Sequence, residues 1–163
     1  VPEDSALIAQ RELFLKVVWE YHGTWYRWGG DDPSSFDCSG LAIEGLQSVG
    51  ILPDIPFDTT AHGLYQMFTR YYLPDPVRGA LAFWRRAGDD HIIHVEVCLD
   101  QHYAIGARGG GRNVKTVETA IETNAFVKVR PIFGRGWSHE LAGFVDLFTH
   151  PDITAPLGAG GGG

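Results

Sequence analysis

The chain contains no apolar run close to the roughly 20 residues a helix needs to cross a bilayer, so nothing in it reads as a membrane span. It also has no surplus of positive charge. Thirteen Lys and Arg are scattered among 20 Asp and Glu, giving a formal net charge of −7. Nucleic acid and anionic membrane surfaces call for clustered basic residues, and neither is expected as the main partner. Cysteine is scarce: Cys38 and Cys98 allow at most one disulfide. Gly109-Gly110-Gly111 is not followed by Gly-Lys-Ser or Gly-Lys-Thr, which excludes a phosphate loop and leaves a mobile turn as the reading. There is no internal repeat. An initiating Met and a signal peptide are also missing, as expected of a processed chain or one cut from a longer protein, and export stays open.

What is present suits one soluble domain. With 163 residues, 44% apolar and 20% charged, the chain is long enough for one core and too short for two. The domain is expected over residues 1–148. Residues 149–163, ending in four glycines and poor in large apolar side chains, are expected to form a flexible tail or linker. Helical spacing of Leu7, Phe14, Val17, Val18 and Tyr21 predicts a helix over residues 5–22 that stops at Gly23. A second helix is predicted over 38–50. A third follows Thr59 or Thr60 as cap and carries Ala61, Leu64, Tyr65, Phe68 and Tyr71. Strands are then predicted at 80–84, 92–99, 103–107, 113–119, 125–130 and 143–147. Helices first and strands later indicate an α+β fold.

The stretch 23–41 carries most of the chemistry, because it delivers Cys38 out of a turn-rich loop into the first turn of a predicted helix. Unpaired N–H groups there stabilise an anion, and the thiolate is the nucleophilic form of cysteine. A base is then needed, and His94 is the best candidate. Alternation along its strand puts Ile93, Val95, Val97 and Leu99 on one apolar face and His94, Glu96 and Cys98 on the other. Taken alone, His94 would read as a hydrogen-bonded structural residue. A zinc site from His91, His94, Cys98 and His102 is a minor alternative, as His91 has the opposite parity to His94. A Cys38–Cys98 disulfide competes with catalysis: Cys98 lies four residues beyond His94, roughly 13 Å at ~3.3 Å per residue, whereas bridged Cα atoms lie within about 7 Å.

Gly23-Thr24, Tyr26, Trp28-Gly29-Gly30, then Phe36-Asp37-Cys38-Ser39-Gly40-Leu41, Leu81, Phe83-Trp84 and His94-Val95 together resemble the NlpC-type cell-wall peptidases, a papain-like family. The resemblance covers residues 23–148, and segments 125–131 and 143–148 look most like phage or prophage members. It implies a papain-like α+β fold, with N-terminal helices and the Cys-bearing helix start packed on an antiparallel sheet that carries the His. It also implies a cysteine peptidase acting on peptidoglycan stem peptides, with the D-glutamyl to diamino acid bond favoured. No metal or organic cofactor is implied. Cys38 would be the nucleophile and His94 the base, while Tyr26, Asp37 and Ser39 would line the site and engage a free amine of the stem peptide. Simpler roles exist for two of these: Asp37 as helix cap, Tyr26 in the core. Trp25 stands where the family commonly has Pro, and Ala80 where it commonly has Asp. The setting would be extracellular, periplasmic or virion-associated, a phage-borne copy having a tail or lysis partner.

One departure matters. The family's third catalytic group is a polar residue twelve positions after the His, which here is Gly106. If Leu99 and Tyr103 flank a three-residue hairpin loop, Glu96 lies opposite Gly106 on the face of His94. The expectation is that Glu96 orients His94 from its own strand; a surface Glu with no catalytic role, or His102 in the turn, are the alternatives. Two other functions stay open: a Cys-His amidase or acyltransferase on another substrate, and a wall-binding or structural tail module with a degraded site.

Overall fold

The structure is a computed structural model that describes residues 5–26, 31–32, 35–54, 59–108, 115–123, 125–136 and 139–149. Helix α1 (Ser5–Trp19) comes first, followed by short strands β1 (Trp25–Tyr26), β2 (Asp31–Asp32) and β3 (Ser35–Phe36). Helices α2 (Cys38–Ser48) and α3 (Ala61–Phe68) are next, with a single 3-10 turn leading into β4 (Tyr72–Leu73). The sheet proper then forms from β5 (Leu81–Arg86), β6 (Ile92–Cys98), β7 (Tyr103–Arg108), β8 (Phe126–Pro131) and β9 (His139–Val145), with α4 (Val117–Thr123) between β7 and β8. In space the strand order is β2-β3-β1-β8-β7-β6-β5-β9-β4. The ladders β8-β7-β6-β5-β9 are all antiparallel. The fold is the expected papain-like α+β arrangement, helices first and an antiparallel sheet after.

Both faces of the sheet are covered. Phe14 and Val18 of α1, Leu41 and Leu46 of α2, and Leu64 and Phe68 of α3 pack with Leu81, Phe83, Val95, Val97 and Ile105 of the sheet into the main core. A smaller cluster on the other face gathers Ala82, Trp84, Cys98, Ala104, Ile132 and Phe144. Sequence alternation along β6 marks the helix side correctly at Val95 and Val97, but Glu96 and Cys98 on the opposite side are also buried. The reason is the segment after β8, which folds back over that face through Ile132, whose N–H donates to the carbonyl of His102.

Three expectations need correction. Residues 113–119 were expected as a strand, from their β-branched content; from Val117 the chain is instead helical. The Thr116 hydroxyl accepts the N–H of Thr119 at 3.1 Å, so a local cap outcompetes strand propensity. The last strand occupies His139–Val145 rather than 143–147, because Asp146 turns the chain by accepting the N–H of Phe148. The expected unbroken alternation of β6 is interrupted at Ile93: Trp84 faces His94 but Arg85 faces Ile92, a bulge that leaves Ile93 unopposed and half-buried. Elsewhere the ends differ modestly. α1 stops at Trp19 and α2 at Ser48, while Thr60 caps α3 as expected. Trp28, Gly109-Gly110-Gly111 and the tail 150–163 lie outside the described residues.

α1 and α2 approach closely because position 45 has no side chain. A Cβ placed at Gly45 would lie 2.7 Å from Phe14 and 2.8 Å from Val18, both fully buried. Gly45→Val should therefore lower the unfolding free energy by roughly 1–3 kcal/mol through overpacking. Urea titration followed by tryptophan fluorescence checks this, and an unchanged midpoint would contradict the packing described.

Candidate active site

The thiol owes its position to a helix start. Asp37, in extended conformation, caps α2 by accepting the N–H of Gly40 at 2.6 Å, which makes Cys38 the first helical residue. The Ser39 hydroxyl donates to the same Asp37 oxygen at 3.3 Å, and Ser39 is buried. Asp37 thus takes the capping role that was the simpler of its two readings. Cys38 is partly exposed and Cys98 buried; both are free thiols. Burial holds the Cys98 thiol far above its ordinary range, with the nearby Glu96 charge adding to the effect. The backbone of Tyr26 lies in β1, paired with Phe36, and its side chain lies outside the described residues.

His94 sits next to the bulge of β6, its ring 5.6 Å from the indole of Trp84 on β5. The β6–β7 ladder runs from Cys98–Ala104 to Val97–Ile105 and stops there. α2 brings Cys38 into hydrogen-bonding contact with His94. The second ring contact is to Glu96: His94 Nε2 lies 2.5 Å from Glu96 Oε2. Continuing the ladder by one pair sets Glu96 opposite Gly106. The two positions share one space, since a Cβ built on Gly106 would collide with the Cγ of Glu96. The hairpin register expected from the sequence is the one found.

Glu96 is 1% exposed, and burying a lone carboxylate is costly. Its charge is met by a residue that sequence reading missed. Arg135 donates from both terminal nitrogens, Nη1 to Oε2 at 2.6 Å and Nη2 to Oε1 at 2.8 Å. Its Nε donates to the Pro131 carbonyl at 2.7 Å, and the guanidinium stacks 4.2 Å above the Trp84 ring. Gly134 and Gly136 on either side hold φ of 77° and 90°, values that favour glycine and curl the segment back onto the sheet. The Gly-Arg-Gly run was the available signal for a deliberately placed arginine. Losing one partner of such a buried pair costs roughly 3–5 kcal/mol, because the other charge is stranded.

His102 lies in the exposed β6–β7 turn, its N–H bonded to Asp100, away from this chain of contacts. His91 stacks on His62 of α3 at 4.3 Å, and His62 Nδ1 accepts the N–H of Ile92. Among the described residues, no three His, Cys, Asp or Glu side chains converge as a metal site would require.

The electrostatics follow from these contacts. Burial alone would lower the His94 pKa, but hydrogen bonds to Cys38 and Glu96 outweigh it and raise it from 6.5 to about 9. Burial would raise Glu96; the Arg135 and His94 contacts prevail and lower it from 4.5 to about 2. His94 therefore contributes stability fully below pH 6.5, lost as pH rises through about 9. Glu96 contributes stability above pH 4.5, lost as pH falls through about 2. The ring protons of His94 should accordingly titrate near 9 in an NMR pH series. A midpoint at or below 6.5 would refute the contacts described.

Residues 23–141 match the NlpC/P60 family. Protein P54 of Enterococcus faecium is 34% identical over 104 residues, which is 60% of this chain and 18% of that protein. The chain thus spans under a fifth of the curated relative it matches. In three dimensions it is similar to the P60 domain of an antigen from M. avium subspecies paratuberculosis, with a TM-score of 0.62 at 21% identity, covering 88% of this chain and 98% of that one. It is similar, too, to the peptidoglycan hydrolase RipB from Mycobacterium tuberculosis, with a TM-score of 0.61 at 22% identity over 92% of this chain and 69% of that one. At such identities the structural likeness speaks for the fold alone. The family match covers most of the chain, and by it the protein belongs to the NlpC/P60 family.

Proposed function

We propose that the protein is a cysteine peptidase that hydrolyses amide bonds in peptidoglycan stem peptides. The observation that carries this reading is the continuous chain of contacts Cys38–His94–Glu96 at the N-terminus of α2. Family membership supports the wall as substrate, and the P60-type and RipB structures share the fold.

In this reading His94 holds a proton on Nε2, donated to Glu96, which leaves Nδ1 to serve the thiol. The Cys38 thiolate attacks the amide carbonyl, and the backbone N–H of Cys38 at the helix start supplies one donor to the oxyanion. Protonated His94 gives its proton to the departing amine, a thioester remains, and His94 then draws a proton from the water that hydrolyses it. The high His94 pKa keeps the imidazolium populated at neutral pH for the amine-leaving step. The linked Asp37 and Ser39 beside Cys38 form an acidic wall against which a free amine of the stem peptide would rest, with Tyr26 of β1 as a further candidate from the family resemblance. The favoured bond is D-glutamyl to a diamino acid, cut outside the cytoplasm or from a virion, with a phage tail or lysis protein as partner in the latter case.

Digestion of purified cell walls, with products identified by mass, tests the reading. Cys38→Ala should abolish fragment release while remaining folded, and Cys98→Ala should retain most activity. Release of fragments by Cys38→Ala would overturn the mechanism, and a folded, thiol-intact wild type that releases none would point to another amide substrate or a binding module. Glu96→Gln should lower kcat by more than it raises KM, since the lost interaction positions a proton donor rather than the substrate. Glu96→Gly combined with Gly106→His, which restores the polar residue on the neighbouring strand, should be more active than Glu96→Gly alone; a double variant no better than that would sink the exchange.

A further inference from the structure

The carboxylate that orients His94 is almost wholly buried and must be held in place without binding the imidazolium so tightly that it cannot give its proton away. Unshielded in a buried site, it would hold the imidazolium too tightly and would be free to turn about its own side chain. Both problems meet the same group. Arg135 bonds both Glu96 oxygens, is itself tied down at Nε by Pro131, and lies 4.2 Å over the Trp84 ring, which also neighbours the His94 ring. Its terminal nitrogen Nη1 shares with His94 Nε2 the single oxygen Oε2.

We propose that Arg135 is a positioning residue of the active site: it fixes the plane of Glu96 and offsets its charge, and so sets both the orientation of the His94 ring and the pH at which His94 releases its proton. This rests on the reading that Glu96 orients His94. The groups facing the pair are Cys38 from α2, Arg135 from the segment after β8, and Cys98 on β6 itself, with the Trp84 indole from β5 and Gly106 from β7. Removing a cation from this set lets the carboxylate bind the imidazolium more strongly, so the His94 midpoint moves up. A guanidinium is required rather than a point charge, because only a planar fork satisfies two carboxylate oxygens at once.

The test compares Arg135→Met and Arg135→Lys with wild type and Glu96→Gln, by NMR titration of His94 and by the pH dependence of kcat and KM on purified wall peptides. In Arg135→Met the His94 midpoint should rise by about one unit, the basic limb of kcat/KM should move with it, and kcat should fall on the order of 10- to 100-fold with KM little changed. In Arg135→Lys, charge without the fork, the midpoint should stay near wild type while kcat still falls. A merely structural arginine would lower stability and leave the His94 midpoint and the pH profile where they were; that result overturns the proposal. If Arg135→Met does not fold, Arg135→Lys decides, and wild-type kcat in it counts against the proposal. The two readings separate cleanly. Wild-type turnover in Glu96→Gln defeats the role of Glu96, whereas a slow Glu96→Gln beside Arg135 variants with wild-type kcat and pH dependence defeats the role of Arg135 alone.

Discussion

A buried, ionised carboxylate is the constraint around which the site is organised. Glu96 accepts from His94 on one side and from Arg135 on the other, with almost no access to water. Such a charge persists only when every lone pair facing the interior is met. That requirement reaches far along the chain. It demands an arginine 39 residues away, a glycine-flanked turn to return it, an aromatic floor for its guanidinium, and a neighbouring strand without a side chain at position 106.

The rest of the fold serves to bring a thiol to that assembly. α2 is held against the sheet by the apolar core it shares with α1 and α3, and its N-terminal cap fixes which residue begins the helix. The bulge at Ile93 lets Ile92 return to the helix-side core while His94 keeps its place beside Trp84. Packing therefore sets the distance between thiol and imidazole, and the ionic cluster sets which way the imidazole turns.

Much of this was legible from residue order. The cap-Cys start of α2, the placement of β6, and the pairing of position 96 with position 106 follow from spacing, alternation and a three-residue hairpin, all local rules. What was not legible depends on contacts distant in sequence. The full burial of Glu96 does not read from residue order, and a surface Glu stays an alternative there, because its shield, the segment carrying Ile132 and Arg135, is not adjacent in sequence to β6. The bulge at Ile93 has no glycine or proline to announce it. Residues 113–119 read as a strand because valine and threonine favour strands on average, while one threonine hydroxyl settles the local outcome from Val117 onward. Arg135 itself lies between two glycines, a pattern that signals a special backbone but not the carboxylate it serves.

The account turns on the His94 Nε2 proton that bridges to Glu96, and nitrogen NMR reads it directly. In wild-type protein between about pH 7 and 8, where the Glu96 carboxylate is ionised, the account predicts a strongly downfield ring proton bonded to His94 Nε2, bridging to Glu96, and its loss or upfield movement in Glu96→Gln. An Nε2 proton signal identical in wild type and Glu96→Gln, or a neutral ring carrying its proton on Nδ1 once the pH is taken above about 9, would contradict it.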